Sequence, residues 1–296
     1  MCVNKAVFLG VNALGDTLCT TPVIRAFRRA NPGTAIVYLT QAAPFTRILD
    51  GNPDIDLLIY SERLYFNGIP DQTNAWLSLL PLDLRGGNNL LYRLDLKIGC
   101  TTMEAFQEHI SKAFARPLNV QTDTTRPIVV LSDLERRAAS LFAHRPFIIF
   151  SSHSVSNPDR LDGRGKRKDW PFERWQALAR GIRELGDFDI YQVGSERDDA
   201  PVLEGVTRLY GLPIKVVAAL LERADCVVTV ENGIGHLCHA VDAASVVIYS
   251  DLMPLAWANP AESTLARVLY GDPLELTCEA VLAAIQHVLA ARSVTA

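Results

Sequence analysis

Short apolar runs, each closed by glycine, proline or a polar cluster, recur along the chain and alternate with stretches whose apolar positions fall at helical spacing. Ala6 to Gly10 is the first run. It passes through a small-residue loop into a segment with Leu18, Val23, Ile24 and Phe27 on one face, which predicts a strand, a loop and a helix. Pro32-Gly33 stops that helix. A second strand is expected over Ile36 to Thr40, a short helix over Pro44 to Asp50 and a third strand over Asp56 to Tyr60. From Ser61 to about Gly99 the pattern dissolves into polar, glycine-containing sequence, which predicts irregular loops before a helical stretch near Met103 to Ala115.

Breakers around Asn119 to Pro127 and at Arg145-Pro146 flank a helical segment, Asp133 to Ala143, and beyond it the alternation restarts. Strands are expected over Phe147 to Ser151, Asp189 to Gly194, Cys226 to Val230 and Ser245 to Ser250. Helices are expected over Phe172 to Leu185, Ile214 to Arg223, Gly235 to Val241 and Leu276 to Ala291. Two such series in tandem predict an α/β protein of two Rossmann-like, doubly wound parallel-sheet domains, 1–144 and 145–296, with the final helix able to pack back on the first. Ligands of such sheets bind beyond the carboxyl ends of the strands, so the cleft between the domains is the expected site.

Composition narrows the function classes. The 296 residues are 49% hydrophobic and 21% charged, which suits two globular cores and excludes wholesale disorder. With 29 basic against 33 acidic residues there is no cationic excess to neutralise a phosphate backbone, so no nucleic-acid partner is expected. Six scattered cysteines without a CxxC suggest reduced thiols. The first residues show no signal-peptide pattern and no stretch of about 18 apolar residues exists, which predicts a cytoplasmic protein.

Four clusters carry candidate chemistry. Gly10 to Asp16 lies where the first strand hands over to the first helix, and a carboxylate at that helix start is readily held ionised. Asp16 is either a helix cap or a base facing the cleft. The spacing is not a P-loop, because the lysine that reaches phosphates is missing. The second cluster, Glu231-Asn232-Gly233-Ile234-Gly235-His236-Leu237-Cys238-His239, follows an apolar strand and opens a helix, where free backbone N–H groups can cradle a diphosphate. Read as a dinucleotide fingerprint with Asp251 as the ribose acid, it leaves only 45 residues to complete a dehydrogenase, which is too few. His236, Cys238 and His239 crowd into four residues with no companion cluster, so no metal site is expected. The third cluster is Arg160, Arg164, Lys166, Arg167 and Lys168, in a loop leaving a strand's carboxyl end; Lys168, nearest the next helix, is the first choice to face a diphosphate. Glu196 ends another strand and is either a ribose acceptor or part of a helix cap.

Taken together and in this order, these stretches resemble the ADP-heptose:lipopolysaccharide heptosyltransferases, glycosyltransferase family 9, over nearly the whole chain. Gly15-Asp16-Thr17-Leu18-Cys19-Thr20-Thr21-Pro22, with Arg25-Ala26-Phe27-Arg28-Arg29 and Asn31-Pro32, is similar to the family's opening helix and its catalytic Asp; Asn52-Pro53-Asp54-Ile55-Asp56 follows its pattern too. Lys168-Asp169-Trp170-Pro171 resembles its Lys-x-Trp-Pro signature, Glu196 its donor-ribose acid, and Glu231 to Leu237 its diphosphate loop. Two positions depart: Glu231 stands where the family usually has Asp, and Asn232 where it usually has Ser or Thr.

The resemblance implies a GT-B fold and a metal-independent, inverting glycosyltransferase without a cofactor. Asp16 would be the general base, with Lys168 meeting the donor phosphate. Glu196, Glu231, Asn232, Gly233, Gly235 and His236 would bind the donor, and Arg164, Lys166 and Thr17 are further phosphate-side candidates. The implied donor is ADP-heptose and the implied acceptor a glycan or glycolipid such as the lipopolysaccharide inner core, met by a cytoplasmic enzyme or one peripheral at the inner membrane face. The alternatives are another nucleotide sugar used on a natural-product, protein or modified-base acceptor, and a non-catalytic sugar-nucleotide-binding homologue.

Overall fold

The computed structural model describes residues 5–10, 13–64, 80, 84–85, 89–94, 107–142, 144–155, 157–163, 165–196, 202–257, 263 and 265–295. Short 3-10 turns aside, the elements run β1 (Lys5–Gly10), α1 (Leu14–Ala30), β2 (Ala35–Gln41), β3 (Leu57–Ser61), β4 (Leu90–Arg93), α2 (Ile110–Ala115), α3 (Asp133–Ser140), β5 (Phe147–Ser151), α4 (Phe172–Leu185), β6 (Asp189–Gly194), β7 (Thr207–Tyr210), α5 (Ile214–Arg223), β8 (Cys226–Val230), α6 (Gly233–Val241), β9 (Ser245–Ser250), β10 (Ala266–Gly271) and α7 (Cys278–Thr295). They fall into two compact units, Met1–Val130 and Leu131–Ala296. No described helix is long and apolar enough to cross a membrane.

In the first unit the strand order is β3-β2-β1-β4, every pair parallel, so the order reverses between β1 and β4. Helix α1 lies on this sheet through Leu18, Val23, Ile24 and Phe27, all buried. Phe8 of β1 meets the Phe27 ring edge-on at 5.1 Å and stacks on Tyr92 of β4 at 5.2 Å. Such offset and edge-on pairs add to the area they bury, so the helix and the short edge strand lock onto one aromatic ring. The Asn-Pro-Asp-Ile-Asp turn is a brace. Asn52 Oδ1 accepts from the Asp54 N–H at 2.9 Å, Arg25 donates to Asp54 at 2.9 Å, and Asp56 joins Arg28 to the Ile36 N–H. Burial alone would raise the Asp56 carboxyl; the hydrogen bonds from Ile36 and Arg28 outweigh it and hold the group below its usual range.

Gly10 ends β1 directly under the Tyr38 ring, and a Cβ there would overlap Tyr38 Oη. The Tyr38 hydroxyl, fully buried and pushed up to about 12 by that burial, shares a 3.0 Å hydrogen bond with Thr20 Oγ1. Thr20 in turn donates to the Thr17 carbonyl at 2.7 Å. A buried tyrosine thus supports both the end of β1 and the first turns of α1, and glycine is what lets it in.

The second unit is a six-stranded parallel sheet, β10-β9-β8-β5-β6-β7, reversing between β5 and β8. One face is covered by α4 and α7, whose Trp175, Leu178, Ile182, Val281, Ile285 and Val288 pack against Ile148, Phe150, Val228 and Ile248.

Three sequence expectations are corrected. The stretch from Ser61 to Gly99 contains a strand, β4, and β7 and β10 were not expected; all three are outermost in their sheets and half-exposed, and β4 and β7 are only four residues long, so no long buried apolar run announces them. The helix expected from Met103 begins at Ile110; residues 103–106 lie outside the described residues. Helix α3 belongs to the second unit, where Arg136 donates to both Glu222 oxygens of α5 at 2.8 and 3.0 Å and Lys215 pairs with Glu135 at 3.5 Å, so the division falls at 130/131 instead of 144/145. The final helix contributes Val281, Ile285 and Val288 to the core of the second unit.

Replacing Gly10 by alanine is expected to lower the urea midpoint by the equivalent of about 1–3 kcal/mol, because the buried Tyr38 cannot yield. Gly33, with nothing within 4 Å of its Cβ position, is the control and should change by no more than about 0.5 kcal/mol on Gly33→Ala. Equal midpoints for the two variants would refute the close approach.

Candidate active site

The strand order of the second unit reverses between β5 and β8, and Asn232 sits at that point as the N-cap of α6. Its Oδ1 accepts from the Ile234 N–H at 2.8 Å, the Gly235 N–H at 3.3 Å and Thr229 Oγ1 at 3.0 Å. Its Nδ2 donates to Ser151 Oγ at 2.9 Å and to the His153 carbonyl at 2.7 Å. Asparagine therefore caps the helix and ties the ends of β8 and β5 together. The sequence expectation of free N–H groups here is corrected in part: those of Ile234 and Gly235 are taken by the Asn232 side chain. Gly233 and Gly235 are the first and third residues of the helix. A Cβ at Gly235 would meet only Thr229 and Val247 methyls at 3.7 and 3.8 Å, so packing alone does not require glycine there.

Glu231, one residue before the cap, is buried, and its Oε1 lies 2.8 Å from Lys168 Nζ. Its Oε2 accepts from Ser250 Oγ at the end of β9, at 3.1 Å. Both partners of the pair are largely shielded, with side chains 13% and 11% exposed, so the attraction is weakly screened. Two elements chosen separately from the sequence, the Lys168 loop and the Glu231 loop, are thus one cluster.

The Lys-x-Trp-Pro order accounts for how Lys168 is held. Trp170 is buried, stands edge-on to Trp175 at 5.1 Å and donates from Nε1 to the Leu276 carbonyl at 2.9 Å. Burying a tryptophan removes roughly 150–250 Å² from water, about 4–6 kcal/mol at about 25 cal/mol per Å². That anchor sets the loop's end far more firmly than an exposed ion pair could. Pro171 precedes the first helical residue, Phe172. On the other side of the lysine, Asn157 Oδ1 accepts from the Lys168 N–H at 2.8 Å while its Nδ2 donates to Asp169 at 2.6 Å. Burial pushes the Asp169 carboxyl up, against the opposing effects of His153 and Asn157.

Upstream, Asp159 and Lys166 form an antiparallel bridge, and backbone bonds Arg160 N–H to Gly165 O (2.8 Å) and Arg167 N–H to Pro158 O (3.0 Å) close the hairpin. Its basic residues have acidic partners. Arg160 grips Asp272 with two nitrogens at 2.9 and 2.5 Å, Lys166 pairs with Asp159 at 2.8 Å, and Arg167 pairs with Asp251 at 3.0 Å. Among the described residues, the basic loop of the sequence is therefore a strap of ion pairs across the ends of β8, β9 and β10. Arg164 lies outside the described residues.

The remaining predicted residues are placed as follows. Glu196 follows β6, exposed, against Gly211 at the end of β7; Gly211 has φ +73° and a Cβ there would strike the Glu196 carboxylate. His236 is half-buried in the first turn and a half of α6, while His239 and Cys238 are buried behind it. Asp16 is the third residue of α1, half-buried, and the N-cap position belongs to Ala13, so Asp16 is not the cap residue. Burial and the Asp16 charge together hold the Cys19 thiol well above its usual value. Thr17, taken from the sequence as phosphate-side, is 1% exposed, so its hydroxyl is closed to solvent. Sequence reasoning missed Asn157, Ser151, Ser250 and the partnership of Asp251 with Arg167. Ser151 and Ser250 are the last residues of the apolar strands β5 and β9, where polar residues at strand ends were the signal to follow.

The family model "Glycosyltransferase family 9 (heptosyltransferase)" matches residues 102–273. Among solved structures, the chain is similar to the glycosyl transferase family 9 from Veillonella parvula DSM 2008, at 17% identity over 98% of this chain and 99% of that one, with a TM-score of 0.73. It is similar to E. coli ADP-heptose lps heptosyltransferase II at 17% identity, 98% and 99% coverage and a TM-score of 0.68. For E. coli heptosyltransferase WaaC with ADP the values are 16%, 96% and 97%, and 0.60. No curated protein matches the chain. These likenesses establish the fold as the GT-B arrangement of α/β units with parallel sheets that the sequence implied.

Asn232→Ala is expected to destabilise the second unit by about 2–3 kcal/mol, the lost cap plus the stranded partners, Ser151 Oγ and the His153 carbonyl. Asn232→Ser, which keeps an acceptor for the first turn, should lose less. Urea unfolding followed by tryptophan fluorescence ranks the three proteins, and equal losses for Ala and Ser would remove the cap from the explanation.

Proposed function

The chain belongs to glycosyltransferase family 9, and on that premise we propose that it moves a heptose, or a similar sugar, from an ADP-sugar to a hydroxyl of a glycan acceptor with inversion at the anomeric carbon. The observation that carries the reading is the Lys168–Glu231 pair at 2.8 Å beside the capped start of α6. A cation and a helix N-terminus brought together at a strand-order reversal suit a leaving diphosphate, because both oppose the negative charge that grows on it. ADP-heptose is the donor named for the similar E. coli heptosyltransferase II, and lipopolysaccharide its acceptor; both are the specific form of this proposal.

In the reaction, Asp16 takes the proton of the acceptor hydroxyl, the acceptor oxygen forms its bond to the anomeric carbon, and the bond from that carbon to the diphosphate oxygen breaks. The electron pair leaves with the nucleoside diphosphate, which Lys168 and the first turn of α6 stabilise, with His236 beside them. Glu196 accepts from the donor ribose. The scheme uses no metal and no cofactor. The protein works in the cytoplasm, and a lipid-linked acceptor is met at the inner membrane face.

A second reading has one observation in its favour. Because Glu231 already holds Lys168, the site can bind a nucleotide sugar without turning it over.

Asp16→Asn separates the two. For a transferase it should lower acceptor-dependent nucleotide release by about 10²–10⁴-fold while leaving ADP affinity within about two-fold. Turnover retained in Asp16→Asn would remove the base assignment. Absence of acceptor-dependent release from the parent, with ADP still bound, would favour the binding protein.

A further inference from the structure

The strap that carries Lys168 is held at three places, and the three holds differ in kind. Arg160 is committed: its side chain is 12% exposed, it meets Asp272 through two nitrogens, and Asp162 lies 3.5 Å away. Bidentate, shielded pairs of this sort are the strong ones. Lys168 is shielded with Glu231. Arg167 is different. It meets Asp251 through one nitrogen at 3.0 Å, and the two side chains are 35% and 48% exposed, so the pair is weak and screened.

The position of that weak pair matters. Arg167 neighbours Lys168 in the chain, and Asp251 follows β9, the strand hydrogen-bonded to β8, which Glu231 follows directly. Two consecutive cations thus face two adjacent strand ends about 4.8 Å apart. Ser250, next to Asp251, donates to Glu231 and joins the two pairs. An anion large enough to engage Lys168 therefore arrives within reach of the Arg167 guanidinium, whose planar fork matches phosphate oxygens better than the single contact it makes with Asp251.

We propose that Arg167 is a second binding cation for the donor's diphosphate, latched to Asp251 and handed over to phosphate oxygens when the donor binds. This rests on the donor-site reading above and extends it. Asp251 is then a positioning residue and a competitor: it holds the strap's cation in place and must be displaced by the ligand. The exchange turns Asp251 outward to water at little cost, since half of it is solvated already.

Calorimetric titration of ADP, GDP and UDP into the full chain, with a double-mutant cycle, tests this. Asp251→Asn should tighten nucleoside diphosphate binding by about two- to five-fold, the worth of an exposed pair no longer competing. Arg167→Gln should weaken it by about five- to ten-fold. In the double variant the gain from Asp251→Asn should vanish, because the latch has nothing to hold. Thermal melting checks that each variant folds; the backbone bond from Arg167 to Pro158 is retained in all. The latch is overturned if Asp251→Asn fails to tighten binding, or tightens it equally in the Arg167→Gln background, which is bulk charge alone. Lys168→Ala keeps the two ideas apart. If it weakens binding while the cycle shows no coupling, only the latch fails; if no nucleotide binds the parent, or Lys168→Ala changes nothing, both fall.

Discussion

The second unit depends on one amide satisfying five partners at once. Asn232 accepts from Thr229, Ile234 and Gly235 and donates to Ser151 and His153, across the point where the strand order reverses. A reversal leaves a gap that backbone ladders do not bridge beyond the strand ends, and the polar groups there still need partners. The side chain meets that need and fixes the start of α6 relative to β5 in the same act. Set against the Ser or Thr expected from the resemblance, asparagine keeps the capping acceptor and adds two donors that reach β5. The departure is thus a change in how the turn is fastened, and it leaves the helix start intact.

From that fastening the charges follow. Glu231 is carried one residue before the cap, so its carboxylate stands at the end of β8, where Lys168 and Ser250 reach it. Lys168 is delivered by a loop whose far end is sunk into the core as Trp170 and whose hairpin is clamped by Arg160 on Asp272. Each basic residue described in the loop is matched by an acid. A sequence reading sees the run of cations but not the acids, because Glu231, Asp251 and Asp272 lie some 60 to 110 residues further along. Folding turns an apparent basic patch into a set of pairs of graded strength.

How much was legible follows from the same physics. In the second unit β5, β6, β8 and β9 were read to the residue, because apolar runs such as Cys226 to Val230 are buried on both faces and bounded by breakers. The edge strands escaped because Thr207 to Tyr210 and Leu90 to Arg93 bury too little to show a period. Helix α3 was recognised but assigned to the wrong unit: an amphipathic face states that something covers it, not which sheet, and the pairs to Glu222 and Lys215 are a tertiary fact. Of the candidate site, the residue types and their order were visible, and the Asn-Pro-Asp-Ile-Asp turn was visible without its purpose, which is bracing α1. The mutual pairing of Lys168 and Glu231 was not.

That pairing also resolves a conflict local to the helix. A lone lysine beside a helix N-terminus sits against the positive end of the backbone dipole, at a cost of roughly 0.3–1 kcal/mol and more when shielded from water. Glu231 relieves the conflict by pairing its carboxylate with the lysine, and Ser250 holds the carboxylate's other oxygen so that it does not turn away. A cation kept this way is oriented in advance, and orientation in advance is what gives an electrostatic group its leverage on a developing charge. The same carboxylate takes up part of the lysine's field. An arriving diphosphate therefore meets a local charge near neutral at Lys168, and Arg167, its neighbour in the chain and held only by an exposed pair, is a source of the remainder.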